Sequence, residues 1–115
     1  AGHVEPGETA ARAAVREVAE ELGVTVDVAD LRLLTVLQRT DGSDAPIEQR
    51  IEWFWTVETW AGTPWIMEPH KCDGLDWYAL DALPEPVPHY ERFVLDGLRT
   101  GTLPVASSFG YPSRA

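Results

Sequence analysis

Four ionisable residues crowd six consecutive positions near the start of the chain: Arg16, Glu17, Glu20 and Glu21. If that stretch is helical, at ~100° of rotation per residue, the three glutamates share an arc of roughly 100°. Glu17 is then an i, i+3 neighbour of Glu20 and an i, i+4 neighbour of Glu21, and each like-charged pair costs ~0.2–0.5 kcal/mol without a counterion. A divalent cation would remove that cost. Magnesium prefers carboxylate oxygens and keeps several of its waters, so such a face can hold it and still leave positions for phosphate oxygens and an attacking water. The same residues also make an ordinary solvated helix face, on which Arg16 pairs with Glu20 across one turn. The helix alone does not separate the two readings.

The element that must carry these groups is well marked. From Thr9 to Leu22 the chain is rich in Ala, Glu, Arg and Val and has no Gly or Pro. Ala11, Val15, Val18 and Leu22 recur at the spacing of one helical face, opposite the glutamates, which predicts an amphipathic helix. Thr9 is the expected N-cap after the Pro6-Gly7 turn, and Gly23 stands where a left-handed residue stops a helix. Leu31 to Gln38 and Ile51 to Trp60 read as strands, divided by the turn-prone stretch Thr40 to Pro46. Trp65 to Met67 is a candidate extension of the sheet, and Leu75 to Ala79 a short further strand. A proline-rich connection, Leu80 to Pro88, leads to a second helix over about 89–99 with Tyr90, Phe93, Val94 and Leu98 on one side. The tail 101–115 is expected to be extended or mobile.

The spacing decides what the helix face alone does not. Gly2, five residues, Glu8, seven residues, Arg16-Glu17-Val18, one residue, Glu20-Glu21, one residue, Gly23-Val24 matches every fixed position of a 23-residue loop-helix-loop signature. The segment 2–24 resembles the Nudix box, and so many specified positions at fixed spacing make a chance match improbable. The resemblance implies an α/β/α sandwich around a mixed sheet, with the box helix packed on the sheet by its apolar stripe. It also implies Mg2+ (or Mn2+) bound by Glu17, Glu20 and Glu21, and a metal contact from the backbone carbonyl of Ala1, where many members have Gly. Arg16 would orient one of the glutamates through a salt bridge, and Glu8 would support the loop and helix start. The implied reaction is hydrolysis of a nucleoside diphosphate linked to another group X. Glu17 or Glu20 could assist as base, and Glu68 or Asp73, from a loop beyond the box, could supply a further ligand or base.

Glu68-Pro69-His70-Lys71-Cys72, with Trp77 and Leu80-Asp81-Ala82-Leu83-Pro84 after it, is similar to the downstream half of MutT-like nucleotide pyrophosphohydrolases. That likeness favours a nucleoside triphosphate, with an ordinary or a modified base, cut to a monophosphate and pyrophosphate. ADP-ribose, a nucleotide sugar or a capped RNA end are rivals that the box does not separate, and a non-catalytic nucleotide sensor is a rival of another kind. Trp53, Phe54 and Trp55 are candidate base-stacking surfaces, although alternate members of a strand face opposite sides and core packing competes for them. His70 and Cys72 together fall well short of a zinc site.

Composition bounds the rest. The 115 residues, 44% of them hydrophobic, suit one domain, 1–115, with its own core. A formal net charge of −10 argues against a surface that grips nucleic-acid phosphates by charge, so a polyphosphate substrate needs a cation between it and the protein. One cysteine excludes an intramolecular disulfide, and no apolar run approaches the ~18–20 residues of a membrane span, which together lead to the expectation of a cytoplasmic protein with a small-molecule nucleotide substrate and no membrane partner. Nudix domains carry further strands ahead of the box, whereas one residue precedes Gly2 here. The expectation is therefore that those N-terminal strands are missing from this chain, or that a second copy completes the sheet in a homodimer.

Overall fold

The computed structural model describes residues 4–40, 49–67 and 77–111. The chain gathers into two compact units, Ala1–Arg32 with Trp55–Trp77 and Leu33–Phe54 with Tyr78–Ala115. Its elements are α1 (Ala10–Leu22), a 3-10 turn (Val28–Asp30), β1 (Arg32–Thr40), β2 (Gln49–Thr56), α2 (His89–Thr100) and β3 (Ala106–Phe109). The fold is mixed α/β, as expected. None of the helices among the described residues is long and apolar enough to cross a membrane.

In the first unit α1 begins and ends where its caps direct. The Thr9 side chain accepts from the Arg12 backbone N–H, and Gly23 adopts φ 69°, ψ 15° with its N–H on the Ala19 carbonyl. Ala13 is the fully buried residue of the helix, while the stripe of Ala11, Val15, Val18 and Leu22 is only half-buried. The most open sector is that of Arg12, Ala19 and Gly23, so α1 is covered on more than one side. Trp65 to Met67 does not extend the sheet. Its backbone instead closes on the helix end, Trp65 N–H to the Leu22 carbonyl and Met67 N–H to the Glu21 carbonyl, both at 3.0 Å. These are among the carbonyls that a helix leaves without intrahelical partners, and the segment satisfies them. One turn further on, Thr25 and Ala61 form an antiparallel bridge, with Val24 and Val26 buried on either side of Thr25.

Among the described residues the strands form a three-stranded sheet in the order β2-β1-β3. β1 and β3 are parallel, with Val36, Leu37, Gln38 and Arg39 opposite Ala106, Ser107, Ser108 and Phe109. Arg39 reaches Glu52, and Thr56 Oγ1 reaches the Arg32 carbonyl, so β2 runs against β1 and the sheet is mixed. Alternation along β1 buries Thr35 and Leu37 completely, and Val94 of α2 is as deeply enclosed. Helix α2 lies on the sheet through an edge-to-face contact of Phe93 with Phe109 and through the Arg39 guanidinium, 4.1 Å from the Tyr90 ring centroid.

Within the tail 101–115, expected to be extended or mobile, residues 106–109 are extended as the strand β3, where Thr35 ties them down. Its hydroxyl lies 2.9 Å from the Pro104 carbonyl, 3.1 Å from the Val105 carbonyl and 2.8 Å from the Ser107 hydroxyl. No strand covers 77–79; the rest of the expected Leu75–Ala79 strand, like most of the turn at 40–46, lies outside the described residues.

Candidate active site

The acidic face of α1 is organised by one guanidinium. Arg16 grips Glu8 with two parallel hydrogen bonds, Nε to Oε2 at 2.8 Å and Nη2 to Oε1 at 3.0 Å. This fork-to-fork geometry is the strong form of an arginine–carboxylate pair. Glu8 also accepts from the backbone N–H of Glu5, which closes the loop of residues 5–8 onto itself. These bonds, those from Arg16 foremost, hold the Glu8 carboxyl at a pKa of about 2. The same contacts, with that to Glu17, raise the Arg16 pKa further above its ordinary value.

With Nε and Nη2 committed to Glu8, Nη1 is aimed along the helix face. It donates to Glu17 Oε1 at 2.7 Å and to Glu20 Oε2 at 3.3 Å, with Glu5 Oε1 at 3.7 Å. Glu17 and Glu8 are largely covered, at 21% and 16% side-chain exposure, whereas Glu20 is half exposed at 52%. The acids therefore do not simply point into water opposite the apolar stripe: Glu17 is tucked beside Arg16, and Glu20 opens outward. Glu21 is half-buried, in the turn whose carbonyls hold the Trp65–Met67 segment.

Among the described residues no three His, Cys, Asp or Glu side chains form a ready-made metal cluster. The donor set nevertheless suits a hard cation. Glu17 and Glu20 offer carboxylate oxygens, the ligands that magnesium and manganese take, and both already gather around a single cationic nitrogen. Ala1, with Gly2 next to it, and the loop residues Glu68, His70, Cys72 and Asp73 lie outside the described residues. Of the aromatic strand, Trp53 is 47% exposed on β2, while Phe54 and Trp55 are half-buried.

Residues 1–96 match the model of the NUDIX domain. The chain belongs to the Nudix family. A likeness in sequence and one in structure agree with that assignment. The chain is 35% identical over 81 residues to an 8-oxo-dGTP diphosphatase of Escherichia coli (strain K12), a match covering 70% of this chain. It spans 58% of the length of that relative. Its fold is similar to the crystal structure of a MutT NUDIX hydrolase from Burkholderia pseudomallei, with a TM-score of 0.73 and 33% identity, over 83% of this chain and 70% of that one. In this Nudix chain the box accounts for Glu8, Arg16 and the glutamates of α1. It did not indicate Glu5 or the contacts of Trp65 and Met67, which depend on how distant segments fold back on the helix.

Proposed function

We propose that the protein is a metal-dependent nucleotide pyrophosphohydrolase of the MutT-like kind, acting on a nucleoside triphosphate and releasing the monophosphate and pyrophosphate. The observation that carries this reading is the Arg16 fork on Glu8, which leaves one guanidinium nitrogen to gather Glu17 and Glu20 on one face of the box helix. The Escherichia coli relative, an 8-oxo-dGTP diphosphatase, favours a triphosphate as the X-linked diphosphate and a purine with an altered base among the candidates. Glu17, Glu20 and Glu21 would hold Mg2+ or Mn2+, with the Ala1 carbonyl as a further ligand. The cation would supply neutralisation of the phosphate charge and a lowered pKa for a water at the site.

The chain's own residues have distinct tasks. Arg16, held by Glu8, fixes the rotamer of Glu17 and so the direction in which its carboxylate presents oxygens. Glu20, more exposed and only loosely held at 3.3 Å, can turn toward substrate and accept the proton of the attacking water; Glu17 or Glu68 are the other bases to test. The water oxygen bonds to the phosphorus, the bridging P–O bond breaks, and pyrophosphate leaves with the charge of that bond. A cytoplasmic setting, where nucleoside triphosphates are abundant, fits this chemistry.

The test is a panel of ordinary and oxidised nucleoside triphosphates, ADP-ribose and nucleotide sugars, incubated with the protein and magnesium. Pyrophosphate release from a triphosphate, abolished by a chelator, is the expected result. Binding without release of pyrophosphate or orthophosphate from any member would overturn it in favour of a nucleotide sensor.

A further inference from the structure

The last turn of α1 is wrapped by a strap of residues 60–67. Ala61 bridges Thr25, and a side chain added at Gly62 would meet the Gly23 carbonyl oxygen at 3.5 Å. Trp65 and Met67 donate to the Leu22 and Glu21 carbonyls. The strap is thus anchored by backbone bonds to the turn that carries Glu20 and Glu21. It brings tryptophan with it. Trp60 stacks on Trp77, ring centroids 6.0 Å apart and planes 15° from parallel. Trp77 is 75% exposed, Trp65 58% and Trp60 36%, so the strap carries indole surface in contact with water, with the Trp65 ring next to Gly23 at the helix end.

Large apolar side chains held at the surface in a fixed arrangement mark binding sites more often than chance placement does. Two near-parallel indoles present a flat face, and the ligand whose shape and chemistry match a flat π face is a planar heterocycle. Ala61 is paired with a residue two positions beyond Gly23, so by chain path Trp60 lies within ~17 Å of the helix cap. That is the scale on which a nucleotide has its base at one end and its phosphates at the other. We propose that the Trp60–Trp77 pair is the platform on which the nucleobase of the substrate stacks while its phosphates reach the carboxylates of α1. This rests on the hydrolase reading above for the location of the phosphates. It moves base recognition from the β2 aromatics to the strap beside the box helix.

Binding of GMP, with ribose 5-phosphate as the base-free control, tests the platform by isothermal titration without requiring turnover. Trp77→Ala should weaken GMP binding roughly 5- to 150-fold, the ~1–3 kcal/mol of one base–aromatic stack, and leave ribose 5-phosphate unaffected. Trp77→Phe should restore most of the loss, and Trp60→Ala should reproduce part of it. Because Trp77 is mostly exposed, its replacement should leave the thermal midpoint nearly unchanged. GMP affinity unaltered by Trp77→Ala and Trp60→Ala would overturn the proposal, as would an equal loss for GMP and ribose 5-phosphate. Failure of the hydrolase reading looks different: GMP binding would depend on Trp77, yet no triphosphate would be cleaved.

Discussion

Arg16 gathers four carboxylates, and the geometry ranks them. The bidentate bond to Glu8 is short and largely covered, while the contact with Glu20 is long and open. Lysine carries the charge but not the planar fork, so Arg16→Lys should keep the fold and lose the aim of Glu17. The expected outcome is at least a tenfold fall in kcat/KM with a raised magnesium requirement, read by metal titration of activity. Glu21→Gln should lower turnover by orders of magnitude while the melting temperature moves little; retained activity would count against Glu21 as a ligand. Glu8 makes a pH prediction. Its carboxyl is depressed to about 2, against an ordinary value of ~4.3 in an unfolded chain. A depressed acid stabilises the fold at pH values above the unfolded pKa and gives that stability up as pH falls through the folded one. The difference in melting temperature between the wild type and Glu8→Gln should therefore be largest and flat above about pH 5 and should narrow between ~pH 4.3 and ~pH 2. The Arg16–Glu20 pair was legible at this scale from i, i+4 spacing alone, but the fork to Glu8 needed the loop of residues 5–8 to fold back and could not be read from helix geometry.

The elements whose signals are local were legible, and those made by distant contacts were not. Thr9 and Gly23 bracket α1 in the sequence as they do in the structure, and both helices and the cores of β1 and β2 fall where periodicity placed them. β3 gave no such signal: Ala106-Ser-Ser-Phe109 is short and polar and lies between Pro104 and Gly110, and it is a strand because β1 offers an edge and Thr35 a hydroxyl. Thr35→Val keeps the shape and removes that hydroxyl from a fully buried site. It should cost ~1–3 kcal/mol of stability in urea unfolding, with the tail 101–111 losing hydrogen-exchange protection first. The apolar residues of Trp65–Met67 make it a candidate extension of the sheet, whereas its partners are helix carbonyls. Gly23 joins the two kinds of signal. Its φ of 69° suits a C-cap glycine, and a Cβ there would stand 2.6 Å from Trp65 Nε1 and 2.7 Å from Met67 Sδ. Gly23→Ala should therefore cost more than the ~1 kcal/mol of a left-handed alanine. Part of the excess should vanish in a Trp65→Ala background, a non-additivity that a double-mutant cycle measures.

At the scale of the whole chain, nineteen acidic and nine basic residues set the field that a substrate meets. A nucleoside triphosphate is itself polyanionic, so its approach to a chain of formal charge −10 is repelled before any site is reached. This inverts the usual salt dependence of enzymes that bind phosphates with basic surfaces, for which added salt weakens attraction. Here salt screens a repulsion that acts over a Debye length, ~30 Å at 0.01 M and ~8 Å at 0.15 M, while close contacts between carboxylate and cation are screened much less. At saturating magnesium, kcat/KM for a triphosphate should therefore rise as a monovalent salt is raised from ~0.01 to ~0.15 M, with kcat nearly constant because only the encounter is affected. Replacing exposed acids outside α1, such as Asp30 and Glu58, with Asn and Gln should flatten that rise and leave the magnesium requirement intact. A kcat/KM that fell steadily with salt would mean that a locally positive region, made by the Arg16 guanidinium and the cation the α1 glutamates would hold, governs the encounter in place of the net charge of the chain.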